Sequence, residues 1–209
     1  VGGYHQPLRL AALAAGSALP EQWGQADRAV DFYDVKADLE ALFAPQHLEF
    51  AVVSHPALHP GRAASVKVDG RYVGVIGQLH PMWVESYELG AAPVVFEIEL
   101  DAALARSLPA YNEVARFPIV SRDLALILDA SVPSARVREV LMTSAPAIVK
   151  SLDVFDVYHG KGIEPGKRSL AFRVLMQDTH RTLEDSEVDG AMAAMLAGAE
   201  SILGARLRG

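Results

Sequence analysis

Cysteine is absent from the 209 residues. That excludes disulfides, thiolate zinc sites and cysteine nucleophiles together, and it fits a reducing compartment. Long hydrophobic runs are missing too: residues 10–19 form the longest, broken by Gly16 and Ser17 and far short of a bilayer span. No basic-then-apolar signal opens the chain, so we expect a cytoplasmic location and no membrane partner. What is present is ordinary globular usage. Hydrophobic residues make up 51% and charged ones 22%, which rules out a disordered or collagen-like chain, and the length suits one or two folded units.

The net charge of -7 conceals an asymmetry. Residues 1–115 carry 7 Lys and Arg against 14 Asp and Glu, whereas residues 116–209 carry 12 against 12. An acidic half is a poor docking surface for a polyanion, while a neutral half can hold a segregated basic patch. Any nucleic acid should therefore meet the C-terminal half.

Periodicity and turn chemistry predict the elements. In the first half, residues 30–32 read as a strand and Asp34 as the N-cap of a helix through Phe43, stopped by Pro45. Residues 48–53, 64–68 and 72–79 read as strands, the last two joined by an Asp69-Gly70 hairpin turn. Residues 94–100 alternate, with Val94, Phe96, Ile98 and Leu100 on one face and Glu97 and Glu99 on the other. Residues 8–15 are ambiguous, since their alanines favour helix.

Beyond the connector that Pro109 and Pro118 bracket, the order is sharper. Strands at 122–128, 148–158 and 167–177, helices at 133–145 and 184–203, and a short edge strand at 205–208 give βαββαβ. In this ferredoxin-like motif both helices cover one face of a four-stranded sheet and leave the other open. The last helix places Val188, Met192, Met195, Ala199 and Ile202 at helical spacing. Strand alternation sends Leu124, Leu126 and Leu128, and Leu170, Phe172, Val174 and Met176, toward the helices. Asp123, Ala125, Ser169, Ala171 and Arg173 then face outward. If Phe155 and Val157 turn inward, Asp156 and Tyr158 join them.

Several patterns of catalytic type fail on their own chemistry. Gly160-Lys161-Gly162 with Gly166-Lys167 has Pro165 where a dinucleotide fingerprint needs glycine, and it lacks the Walker Gly and Ser/Thr at Lys161 and Arg168. His55, His59 and His80 are each followed by proline and have no HExxH arrangement, so no metal site is expected. Glu97 and Glu99 read as a solvated strand face rather than paired acids. Ser54-His55 and Ser121-Arg122-Asp123 have no elbow glycines. We expect no catalytic residue here. Tyr158 is different, since an aromatic on an open sheet beside lysines and arginines is the stacking platform of single-stranded RNA binders.

Particular runs carry a family resemblance. Arg116-Phe117-Pro118, Ser121-Arg122-Asp123-Leu124-Ala125, Leu152-Asp153-Val154-Phe155-Asp156-Val157-Tyr158, Gly166-Lys167-Arg168-Ser169-Leu170-Ala171-Phe172-Arg173 and Arg181-Thr182-Leu183 closely resemble the ferredoxin-fold anticodon-binding domain that ends the bacterial phenylalanyl-tRNA synthetase beta subunit. The run from Val30 to Glu40, His59-Pro60-Gly61-Arg62, and Gly74-Val75-Ile76-Gly77-Gln78-Leu79-His80-Pro81 resemble the segment before it. Ala37 stands where that family usually has Gly, and Glu184 where Thr or Ser often caps the last helix.

The resemblance implies an α+β chain. Residues 1–108 would be the C-terminal part of a non-catalytic class II synthetase-like module built on an antiparallel sheet. Residues 109–117 would be the connector and 118–209 the anticodon-binding domain. It also implies that residues 8–15 are a strand, and that the chain is a C-terminal fragment. Partners would be phenylalanine tRNA and the alpha subunit of an (αβ)2 enzyme. ATP and magnesium would serve the complete enzyme, with no cofactor in this fragment, which lacks the Phe-Arg-x-Glu run and the Gly-rich Arg motif of working class II sites. The anticodon readers carried over are Asp156, Tyr158, Ser169 and Ala125. Lys161, Lys167, Arg168 and Arg173 are candidate backbone contacts. The competing expectation is a small-molecule-sensing regulatory domain, because ferredoxin-like folds serve that role too.

Overall fold

The computed structural model describes residues 3–4, 6–105, 111 and 113–208. The chain divides into two compact units, Val1–Pro109 and Ala110–Gly209. The expected connector at 109–117 lies partly outside the described residues.

In the first unit, β1 (Arg9–Ala14), β2 (Leu48–Val52), β3 (Leu58–Val68), β4 (Arg71–Leu79) and β5 (Val94–Glu99) form one sheet in the order β1-β5-β4-β3-β2, every neighbouring pair antiparallel. Asp69 and Gly70 both adopt positive φ, 49° and 74°, the backbone that a tight hairpin between β3 and β4 requires. Helix α1 (Phe32–Phe43) buries Val35, Leu39 and Phe43 against a core that includes Val66, Val73, Ile76, Phe96 and Ile98. Two short helices, α2 (Pro81–Ser86) and α3 (Leu100–Leu104), flank β5.

Three local expectations are corrected. Residues 30–32 form no strand: Phe32 already begins α1. The cap is Asp31 rather than Asp34, because the Asp31 carboxylate accepts from the Tyr33 and Asp34 N–H groups while Asp34 bonds back to the Asp31 N–H. Leu100 leaves the strand to open α3. Residues 9–14 are a strand despite their alanines, since pairing with β5 supplies the ladder that local propensity does not.

The second unit runs β6 (Val120–Asp129), α4 (Ser134–Ser144), β7 (Val149–Tyr158), β8 (Lys167–Met176), α5 (Asp185–Leu203) and β9 (Arg206–Leu207), with sheet order β7-β8-β6-β9. This is the α+β ferredoxin-like arrangement. One face is core: Leu124, Leu126 and Leu128 of β6 and Leu170, Phe172, Val174 and Met176 of β8 pack with Val137 and Leu141 of α4 and Val188, Ala191, Met195 and Ala199 of α5. Each Val, Leu, Phe or Met among them contributes about 1.5–3 kcal/mol on burial. Ile202, expected on the buried stripe, is 55% exposed; Leu203, four residues on from buried Ala199, packs against the core in its place.

Strand β7 departs from simple alternation. Against β8 it pairs Val149 with Met176 but Ser151 with Leu175, and Val154 with Phe172 but Asp156 with Ala171. Lys150 and Phe155 are thus extra residues, each a local bulge.

Candidate nucleic-acid interface

The face of the second sheet that α4 and α5 leave uncovered is built in rows across the strands. Residues directly opposite one another on paired strands share a face. One row is Tyr158, Ser169 and Ile127; the next is Asp156, Ala171 and Ala125; a third is Asp153, Arg173 and Asp123. The structure therefore brings all four expected base readers, Ala125, Asp156, Tyr158 and Ser169, onto two adjacent rows.

Each contributes by its size or polarity. Ala125 and Ala171 keep the middle of the surface flat. Ser169 is only 2% exposed and forms a floor, while Asp156 stands exposed at the rim. The Tyr158 hydroxyl donates to the Lys161 carbonyl (3.3 Å). The guanidinium of Arg208 lies over the Tyr158 ring, 4.6 Å from its centroid.

The bulge at Phe155 overturns one expectation. Phe155 does not turn inward; it is 50% exposed, and Arg173 sits over its ring at 4.8 Å. Val157 does pair with core residue Leu170, but β7 is the sheet edge and Val157 stays 48% exposed.

The cationic candidates separate. Arg173 lies on the open face, where it donates to both oxygens of Asp123 (3.0 and 3.2 Å). That hydrogen bonding holds the Asp123 carboxyl below its ordinary value. Lys167 pairs with Glu164 at 2.7 Å, and Glu164 also pairs with Arg206 at 2.6 Å. Hydrogen bonds from Lys167 and Arg206 lower the Glu164 pKa and tie the loop between β7 and β8 to β9. Lys161, on that loop, is exposed and has no ion pair among the described residues. Arg168 is corrected. It belongs to the helix-side set of β8 and donates to the Val132 carbonyl at 2.7 Å, so it braces the entry to α4 rather than facing the open surface.

Two functional candidates were missed by sequence reasoning. Phe155 was hidden by the bulge, which no residue type announces. Arg208 had a signal: in the expected edge strand at 205–208, period two already puts Arg206 and Arg208 on one face, away from Leu207.

Elsewhere the polar candidates are absorbed by local structure. His55, His59 and His80 each use Nδ1 to accept the N–H two residues on, from Ala57, Gly61 and Met82, at 3.2, 3.0 and 3.1 Å. Among the described residues no group of three or more His, Asp or Glu is arranged to hold a metal ion. Glu97 and Glu99 pair with Arg9 and Arg71, at 4.0 and 3.0 Å. Among the described residues no helix is long and apolar enough to cross a membrane.

Comparisons with known proteins identify both units. Residues 1–100 match the family model described as the phenylalanyl tRNA synthetase beta chain CLM domain, and residues 115–208 match the ferredoxin-fold anticodon binding domain. The chain is 64% identical over 209 residues to a phenylalanine–tRNA ligase beta subunit of Aromatoleum aromaticum, and 53% identical over 208 residues to one of Dechloromonas aromatica. A third, of Chromobacterium violaceum, is 50% identical over 206 residues. These alignments cover 99–100% of this chain and 26% of each relative, so the chain spans about a quarter of their length. With both units matched in order and the whole chain aligned, the chain belongs to the phenylalanine–tRNA ligase beta-subunit family, as its CLM and ferredoxin-fold anticodon-binding domains.

Proposed function

We propose that this chain is a non-catalytic part of a cytoplasmic phenylalanine–tRNA ligase and that its second unit reads the anticodon of phenylalanine tRNA. The observation that carries the reading is the pair of rows holding Tyr158 and Ser169, then Asp156 and Ala125, on an open sheet face. Tyr158 stacks on a base. Asp156 accepts hydrogen bonds from a guanine edge, and Ser169 and Ala125 line a shallow floor that limits which base fits. Lys161 and Lys167 reach toward phosphate, where their charge adds affinity without sequence preference. The first unit serves assembly with the alpha subunit in an (αβ)2 enzyme.

Phenylalanine activation, with its ATP and magnesium, belongs to the alpha subunit. Among the described residues, Glu97 and Glu99 pair with arginines and His55, His59 and His80 accept turn N–H groups, so these candidates are not arranged for those groups. No step of the chemistry is routed through it.

The test uses the complete synthetase and an anticodon stem-loop carrying GAA, titrated over a range of salt beside one with a scrambled anticodon. Tyr158→Ala is expected to lose about 1–3 kcal/mol of binding to the GAA loop, with folding intact. Equal binding by wild type and variant would reduce Tyr158 to a packing residue and sink the reading.

A further inference from the structure

The backbone of residues 205–208 explains where Arg208 points. Arg206 lies opposite Ile127 on the open face, and the Arg208 N–H donates to the Ala125 carbonyl at 2.9 Å. Arg208 therefore enters the row of Ala125, Ala171 and Asp156. Two of those three are alanines, which leave room above the sheet, and its guanidinium lies over the Tyr158 ring on the far edge strand. The polar Ser169 hydroxyl next to this path is left with almost no access to solvent.

A base stacking on Tyr158 needs the same ring face and the same floor. The phenol end of the ring is closed by Gly160, in a loop held to β9 through Glu164. A base entering over that floor and the Arg208 side chain therefore compete for one ring face. They also resemble one another: a guanidinium is planar and presents N–H donors, as the N1–H and N2–H₂ edge of guanine does.

We infer that Arg208 is an internal stand-in for the nucleobase, stacked on Tyr158 in the free protein and displaced when RNA binds. The inference rests on the anticodon reading above. Its consequence is a cost that every base meets alike, since each must displace the resident cation from the ring before it stacks, so affinity for RNA is lowered without a change in the ranking of bases.

The complete synthetase carrying Arg208→Ala, titrated with the GAA stem-loop across salt, tests this. At low salt the lost charge weakens binding; extrapolated to about 1 M salt, where phosphate contacts fade, the variant should bind about two- to fivefold more tightly than wild type, the range for releasing one exposed cation–ring contact. Arg208→Lys keeps the charge but not the planar stack, and should gain in the same direction with an unchanged salt slope. In a Tyr158→Ala background, Arg208→Ala should give no gain at about 1 M salt. Equal or weaker binding by Arg208→Ala at that limit overturns the inference, and if Tyr158→Ala still weakens binding the anticodon reading stands without it. If Tyr158→Ala binds like wild type, reading and inference fall together.

Discussion

Gly160 and Tyr158 touch so closely that a β-carbon on residue 160 would lie 2.8 Å from the Tyr158 hydroxyl oxygen and 3.0 Å from Cζ. The tyrosine ring is therefore oriented by the absence of a side chain on the loop that follows its strand. Gly160→Ala would force the ring or the loop to shift. We expect it to weaken binding of the GAA stem-loop by about 1 kcal/mol, a partial loss of stacking, with little change in thermal stability. Unchanged binding would mean that the ring orientation does not matter.

Arg168 separates structural from RNA-facing cations. Its guanidinium donates to the Val132 carbonyl below the sheet, and methionine would keep the stem while losing that bond. Arg168→Met should destabilise the chain by about 1 kcal/mol and leave stem-loop affinity and its salt dependence unaltered. Lys161→Ala should do the reverse, lowering the salt slope by about one charge. Denaturant unfolding and salt titrations on both variants check this, and a changed slope for Arg168→Met would return that residue to the binding surface.

The outward position of Phe155 has a measurable signature. A core phenylalanine such as Phe172, with 0% exposure, should cost about 3–5 kcal/mol on replacement by alanine. Phe155→Ala removes a half-exposed ring and one Arg173 contact, for which we expect about 1 kcal/mol. Similar losses for the two variants, by denaturant unfolding, would contradict the described course of β7.

Acid should dissolve the cap of α5. Arg181 donates to both oxygens of Glu187, which also accepts the Glu184 N–H at 3.0 Å. These hydrogen bonds, that from Arg181 foremost, hold the Glu187 carboxyl at about 2 instead of its ordinary 4.5. The pKa is depressed in the folded chain, so the stabilisation is complete above about 4.5 and is lost as pH falls from there through about 2. Glu187→Gln should be less stable than wild type near neutral pH, and the gap should narrow across that acid window. A gap that stays constant into strong acid, measured by unfolding midpoints, would show that the charge of Glu187 contributes nothing.

Much of this was legible in the residues. The clean alternation of β6 and β8 identified their buried faces, because a half-buried strand has only two sides to choose between. The Asp69-Gly70 hairpin was readable because few residues tolerate positive φ. Legibility ended where tertiary structure overrode a local rule. Residues 9–14 became a strand through pairing with β5. The first helix began at Phe32, because the Asp31 carboxylate captured its first free N–H groups. Arg168 is grouped with its charged neighbours as a candidate backbone contact, although its own alternation with Leu170 and Phe172 sends it below. The contact between Arg208 and Tyr158 spans four strands, and only the folded sheet brings them together.

The bulge at Phe155 acts on β7 as a frameshift acts on a reading frame. Before it, Leu152 and Val154 register with core residues Val174 and Phe172; after it, Asp156 and Tyr158 register with Ala171 and Ser169. Were Phe155 paired instead of bulged, the parity would reverse, turning the carboxylate and the tyrosine toward the helices while every strand could still pair. The proposed base-reading surface is thus encoded partly by whether one residue is bulged or paired. A comparison of related chains that tracked only which residues they carry would overlook a loss of the bulge here, a change of pairing able to erase the surface while sparing the sheet.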